Sequence, residues 1–163
     1  MLERGKRRPS CHTSDKMGEL LSLYRRVLVR LFSRRERLAV VRAQFAKLYE
    51  VDLDLAVSFL LERLSELYSV PVPEVYLLHN EVVRDREYVI IRLGCYVRNK
   101  MGITVASTMN WRTLMETIAH EFFHHLVELN IGPVNEREFL RVEEVMASRF
   151  AKFISGAGLN DKA

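Results

Sequence analysis

Between Thr113 and His125 the chain reads Thr-Leu-Met-Glu-Thr-Ile-Ala-His-Glu-Phe-Phe-His-His. His120 and His124 are four positions apart, so on an α-helix both imidazoles share one face and can hold one metal ion. Glu121 sits one position along, beside such an ion. From there its carboxylate can accept a proton from a water that the ion activates, without itself being a ligand. This is the H-E-x-x-H pattern, and its chemistry is metal-assisted hydrolysis. His125 lies about 100° around the helix from His124 and is not placed at the metal. His79, at a strand end, reads as structural or exposed.

A hydrolytic zinc site needs a third protein ligand and one open position for water. After the Gly132-Pro133 break, the candidates are Glu136, Glu138, Glu143 and Glu144. Glu136 and Glu138 fall in the first turn of the next helix, where its dipole favours acids in any case. A helical wheel places Glu143 within the apolar face defined by Leu140, Val142, Val145, Met146, Ala147, Phe150, Ala151, Phe153 and Ile154. Glu144 falls at the edge of that face, in line with Leu140, Ala147 and Ala151. A buried carboxylate requires a partner, and a metal would serve. The wheel leaves the choice open and leans towards Glu143.

The elements that must position these residues follow from periodicity and capping. Apolar residues from Glu19 to Phe32 repeat at helical spacing. Ser33 and Glu36 form a capping-box pattern that predicts a second helix, running to about Tyr49. Asp52 predicts the cap of a third, from Leu53 to about Tyr68. Pro71 and Pro73 stop helical structure. Glu74–Leu78, Tyr88–Leu93 and Ile103–Ser107 read as strands, Val82–Val83 as an extension or short piece, and Asn99–Gly102 as a turn. Thr108 or Asn110 would cap a helix to about Leu129. Asn135, with Glu138 in third position, would cap the last, which Gly156 and Gly158 end near Ser155. The fold class is therefore α+β. It comprises three N-terminal helices, a small three-stranded and mostly antiparallel sheet, the histidine-bearing helix, and a C-terminal helix carrying the third ligand.

The 163 residues suit one domain, and an apolar share of 48% allows a real core. Residues 1–17 read as a flexible basic tail and 18–163 as a single compact domain, with a helical part at 18–70 and the catalytic core at 71–155. No apolar run approaches the roughly 20 residues needed to span a bilayer, and no apolar stretch follows the N-terminal charges as in a secretory signal. A cytoplasmic location is expected, with no membrane partner. Cys11 and Cys95 lie far apart in no paired motif, so no disulfide framework is indicated. Cys11 beside His12 reads as an exposed thiol in the tail. The net charge is +4, with arginines concentrated at Arg25, Arg26, Arg30, Arg34, Arg35 and Arg37. Such a cluster can be a solvated helix face or can meet nucleic-acid phosphates, although it lacks interleaved aromatics.

His-Glu-Phe-Phe-His at 120–124, followed by Glu144-Val-Met-Ala-Ser-Arg-Phe-Ala151, resembles the gluzincin metallopeptidases. The greatest similarity is to the compact ImmA/IrrE-like peptidases and minimal gluzincins, which often read E-x-x-A-N-x-F-A here. Val72–Leu77, Gly94–Tyr96 and Ile103–Ala106 are similar to the short sheet of that branch and of SprT-like proteins. The likeness covers about residues 72–155. It implies a zincin-like fold with His120, His124 and Glu144 as zinc ligands and Glu121 as general base and then general acid, Glu143 being the fallback ligand. Ser148 stands where the family has Asp or Asn, which weakens an expected hydrogen bond to a ligand histidine.

The resemblance implies a zinc peptidase acting on a protein or peptide substrate. A substrate in extended form would pair with an open edge at Ile103–Ser107. Two other readings compete: a metal-binding regulatory or structural module with little turnover, and a DNA-associated SprT-like peptidase docking through its basic helices. The basic N-terminal segment would be inhibitory if it covered the cleft. Manganese, iron or cobalt suit the same ligands as zinc.

Overall fold

The computed structural model describes residues 12–80, 94–106 and 109–157. The first helix, α1 (His12–Ser33), buries Leu20, Leu23, Val27 and Leu31, a stripe at helical spacing. It starts at His12 rather than Glu19, so residues 12–17 of the expected tail are helical. The expected cap at Ser33 does not form. The Ser33 hydroxyl donates to the Arg30 carbonyl, inside α1, at 2.7 Å. The N-cap of α2 (Arg35–Val51) is instead Arg34, with no side-chain cap bond. α3 (Leu53–Tyr68) is capped as expected, Asp52 Oδ1 accepting from Leu55 N at 3.1 Å. It ends on Ser69 in the left-handed region (φ 53) just before the two prolines.

Three strands follow: β1 (Glu74–Asn80), β2 (Gly94–Val97) and β3 (Lys100–Ala106), in the order β1-β3-β2. The sheet is mixed, not mostly antiparallel: β1 pairs with β3 in parallel, from Glu74↔Lys100 to Asn80↔Ala106, and β2 pairs with β3 in antiparallel. β3 is therefore the central strand: β1 pairs along Lys100–Ala106 and β2 along Lys100–Ile103, so of the expected open edge Ile103 is paired on both sides and Thr104–Ala106 on the β1 side. Among the described residues the cleft-side edge is β2. The turn also moves. Arg98 and Asn99 hold consecutive positive φ values of 46° and 66°, the two-residue hairpin geometry that matches strand twist. Lys100 and Met101 then already pair in β3, and Gly102 is a strand residue opposite Cys95. A Cβ at Gly102 would lie 2.9 Å from Cys95 Sγ, so its lack of a side chain serves packing and not a turn. The strand expected at Tyr88–Leu93 and the piece at Val82–Val83 lie outside the described residues, as do Cys11, Gly158 and the candidate cap Thr108.

α4 (Trp111–Asn130) begins on Asn110, whose Oδ1 accepts from Thr113 N at 2.9 Å. It is the central element and packs against α5, α3, α2, α1, β2 and β3. Leu114, Met115, Ile118, Ala119, Phe122 and Phe123 are fully buried along it. Truncating such a side chain as Phe122 to Ala typically costs about 3–5 kcal/mol. α5 (Arg137–Ser155) starts from Glu136 without a side-chain cap, so Asn135 does not play the expected role. Its end matches expectation: Gly156 takes the left-handed conformation (φ 77). Arg42 of α2 closes this end, donating from Nε to Ile154 O at 2.7 Å and from a terminal nitrogen to Phe153 O at 2.9 Å. Leu140 and Val145, assigned to the apolar face, are exposed at 42% and 48%, whereas Phe139, not assigned, is buried.

The Tyr68 ring of α3 wedges between α4 and α5, with centroids 6.2 Å from Phe122 and 6.1 Å from Phe150. Phe123 meets Phe150 directly at 5.6 Å. These contacts fix the mutual placement of the two helices that carry the site. No helix among the described residues is long and apolar enough to cross a membrane.

Candidate metal centre

α4 and α5 bring His120, His124 and Glu144 together, with one potential ligand atom from each lying within 4.8 Å of the others. His120 Nε2 is 3.0 Å from Glu144 Oε2, and His124 Nε2 is 2.9 Å from Glu144 Oε1. Around a tetrahedral zinc with bonds of about 2.0–2.1 Å, ligand atoms stand about 3.3 Å apart. Each histidine–carboxylate contact is thus within a few tenths of an ångström of that spacing, and two imidazoles with one carboxylate are a donor set that catalytic zinc sites use. The residues fit the ion on spacing and on donor chemistry.

The two adjacent carboxylates on α5 meet the histidines differently, and the inward one is Glu143, towards which the wheel leans. Glu143 points inward and is 7% exposed. Its Oε1 lies 3.0 Å from His124 Nδ1, the ring nitrogen that does not face Glu144. Glu144 has a side chain 60% exposed and spans the two Nε2 atoms. The buried carboxylate that needs a partner has one in His124, and the arrangement is a carboxylate–histidine pair of the kind that orients metal ligands. Ser148 takes the corresponding place beside His120, its Oγ 3.4 Å from Nδ1, a long contact. Glu136 and Glu138 are not in this group.

Electrostatics distinguish the two histidines. Burial opposes a charge on His124, but the hydrogen bond and charge of Glu143, then the charges of Glu121 and Glu144, outweigh it, and its pKa lies above the ordinary value. At His120, burial and the neighbouring His124 outweigh Glu144, and the pKa lies below it. The carboxylates around His124 thus favour positive charge at that place.

Glu121 is buried, at 7% exposure, and lies against the first residue of β2. A Cβ on Gly94 would come within 2.9 Å of Glu121 Cγ and Oε1 and 3.1 Å of Thr117 Cγ2. Gly94 is therefore required for the carboxylate to reach the strand. The sequence holds a signal for this, because an isolated glycine in a strand often marks a close approach. His125 stands apart from His120, His124 and Glu144, as its angular position implies. It is fully buried, with Tyr96 Oη 2.8 Å from Nδ1 and Pro71 O 2.8 Å from Nε2. With Nε2–H donating to the carbonyl and Nδ1 accepting from the phenol, a neutral ring satisfies both contacts. Burial, the largest influence, lowers its pKa in agreement. His125 thereby pins β2 and the segment after α3 onto α4. His79 lies in β1 opposite Val105.

The site opens into a cleft of about 1200 Å³ between β2 and the start of α5. His120, Glu121, His124 and Glu144 line its floor, and Val97, Val134 and Leu140 are among its walls. Cys95, for which the sequence offered no role, is a free thiol on the β2 wall. No protein-family model, curated protein or solved structure matches the chain.

Proposed function

We propose that the protein is a zinc-dependent metallopeptidase of gluzincin type. The observation that carries this reading is the convergence of His120, His124 and Glu144 at ligand spacing, with the Glu121 carboxylate beside them on the floor of an open cleft. A divalent ion held by these three residues supplies Lewis acidity, acidifying a water and polarising a carbonyl. Glu121 accepts the proton released by the attacking water and returns it to the leaving amine nitrogen, acting as base and then acid. Its burial against Gly94 restricts the carboxylate to few orientations, which suits a proton shuttle. Glu143 and Ser148 hold the ligand imidazoles by their Nδ1 atoms. β2, the cleft-side edge strand among the described residues, takes over from β3 as the strand along which an extended peptide would lie.

A metal-binding module with little turnover is favoured by one observation, the 3.4 Å contact of Ser148, which holds His120 weakly. Glu121→Gln separates the readings. Metal content by mass spectrometry and cleavage of a peptide library are measured on the wild type and the variant. The peptidase reading expects about one zinc per chain in both and cleavage only by the wild type. Metal without cleavage in the wild type supports the module, and no metal in the wild type ends both readings.

A further inference from the structure

A second, smaller cavity of about 240 Å³ lies where α1, α2 and α3 meet, away from the histidines. Arg30 from the last turn of α1, Arg34 and Arg37 from the start of α2, and Arg63 from α3 surround it, over an apolar floor that includes Leu38 and Leu64. Glu66 is the one acid among its lining residues, and it is taken by Arg63, at 2.8 Å. Among the described residues no carboxylate stands within ion-pair distance of Arg30, Arg34 or Arg37. Arg63 Nε is buried without a hydrogen-bond partner.

Arg30, Arg34 and Arg37 are themselves exposed, like the arginines of a solvated helix face. Here, however, four arginines from three helices border one concave space with a single paired acid. Such a cluster repels itself until an anion enters, and one buried donor, Arg63 Nε, is left unpaired. Guanidinium groups match tetrahedral oxyanions in charge and in the spacing of their paired donors. α2 begins beside the cavity with no side-chain cap, so the positive end of its dipole adds to the field. The volume is below the about 300–1,000 Å³ of pockets that enclose drug-sized ligands, so it suits one phosphate group and not a whole nucleotide.

We propose that this cavity is a phosphate-binding site, independent of the metal centre. The test is calorimetric titration of the full chain with inorganic phosphate and with pyrophosphate at constant ionic strength, chloride serving as the control. Wild type, Arg37→Gln and Arg63→Gln are compared, with melting curves to show that each is folded. Saturable binding to the wild type, weakened at least tenfold in the folded Arg37→Gln, is expected. Duplex DNA followed by fluorescence anisotropy identifies the source of the phosphate. Loss of DNA binding in Arg37→Gln assigns the pocket to a nucleic-acid backbone. Unchanged DNA binding, with phosphate binding lost, assigns it to a small phosphorylated molecule. The proposal is overturned if phosphate and pyrophosphate do not saturate the wild type, or bind Arg37→Gln equally well.

Discussion

Glu143 and His124 form a buried pair, with Oε1 3.0 Å from Nδ1, while the other nitrogen of the same ring faces Glu144 at 2.9 Å. On the proposed function, one imidazole thus separates two adjacent carboxylates into an orienting role and a ligating role. Zinc binding to Glu143→Ala is expected to weaken 10–100-fold, the usual range for partners behind a metal ligand. Glu144→Ala should lose far more, because it removes a ligand outright. Competition against a chromogenic zinc chelator measures both. If the Glu143 variant lost more than the Glu144 variant, the two roles would be reversed.

Gly94 stands against the proposed general base, and an added methyl group has no room. A Cβ there meets Glu121 Oε1 at 2.9 Å, and the carboxylate must shift to relieve the overlap. None of the three proposed ligands is among the three atoms nearest to it. Gly94→Ala is therefore expected to keep its zinc while kcat/KM falls about 10²-fold, the scale of a misplacement near 1 Å at a reacting group. Metal analysis alongside peptide kinetics checks this. An unchanged rate would mean that the carboxylate tolerates displacement and that its contact with β2 is incidental.

Tyr68 provides a pH-dependent test of the scaffold. It donates to Val27 O at 3.0 Å and wedges between Phe122 and Phe150. Burial raises its pKa well above the ordinary value, against a small opposing influence from Arg30. Above about pH 10 the unfolded phenol ionises while the folded one keeps its proton. The folded state then binds more protons, so stability falls as pH rises from about 10 through the folded pKa. Tyr68→Phe lacks this loss. The variant should be less stable by about 1 kcal/mol at neutral pH, from the missing hydrogen bond. The gap should close above pH 10 by up to about 1.4 kcal/mol per pH unit. Thermal melts of both proteins from pH 7 to 11 test this, and a gap constant across that range would refute it.

What the sequence disclosed depended on whether the determining interaction was local. The caps at Asp52 and Asn110 were readable because each side chain accepts from a backbone N–H only three residues on. The same logic misled at Ser33, whose hydroxyl prefers the carbonyl of Arg30 within its own helix. The inward position of Glu143 followed from helical geometry. Which ring nitrogen each carboxylate reaches did not, because it depends on how Phe123 and Phe150 lock α4 onto α5. Strand order is likewise non-local: Glu74 pairs with Lys100 through a parallel crossover that no periodicity encodes. The arginine-lined cavity was visible only as a run of charge until α3 contributed Arg63.

Ser148 gives the most direct test of how far the family pattern applies. Its Oγ is 3.4 Å from His120 Nδ1, near the limit for a hydrogen bond, and the resemblance expects a longer amide or carboxylate side chain there. Asn at this position extends the acceptor by one bond and can close the gap. Ser148→Asn is therefore expected to tighten zinc binding by up to about tenfold, the lower end of what such partners contribute. Ser148→Ala should cost less than about threefold, because a bond this long contributes little. Chelator competition on the two variants gives the answer in one experiment. A large loss in the alanine variant would mean that the serine contact shortens when the metal is bound. A neutral asparagine variant would mean that His120 is already held firmly by its packing in α4.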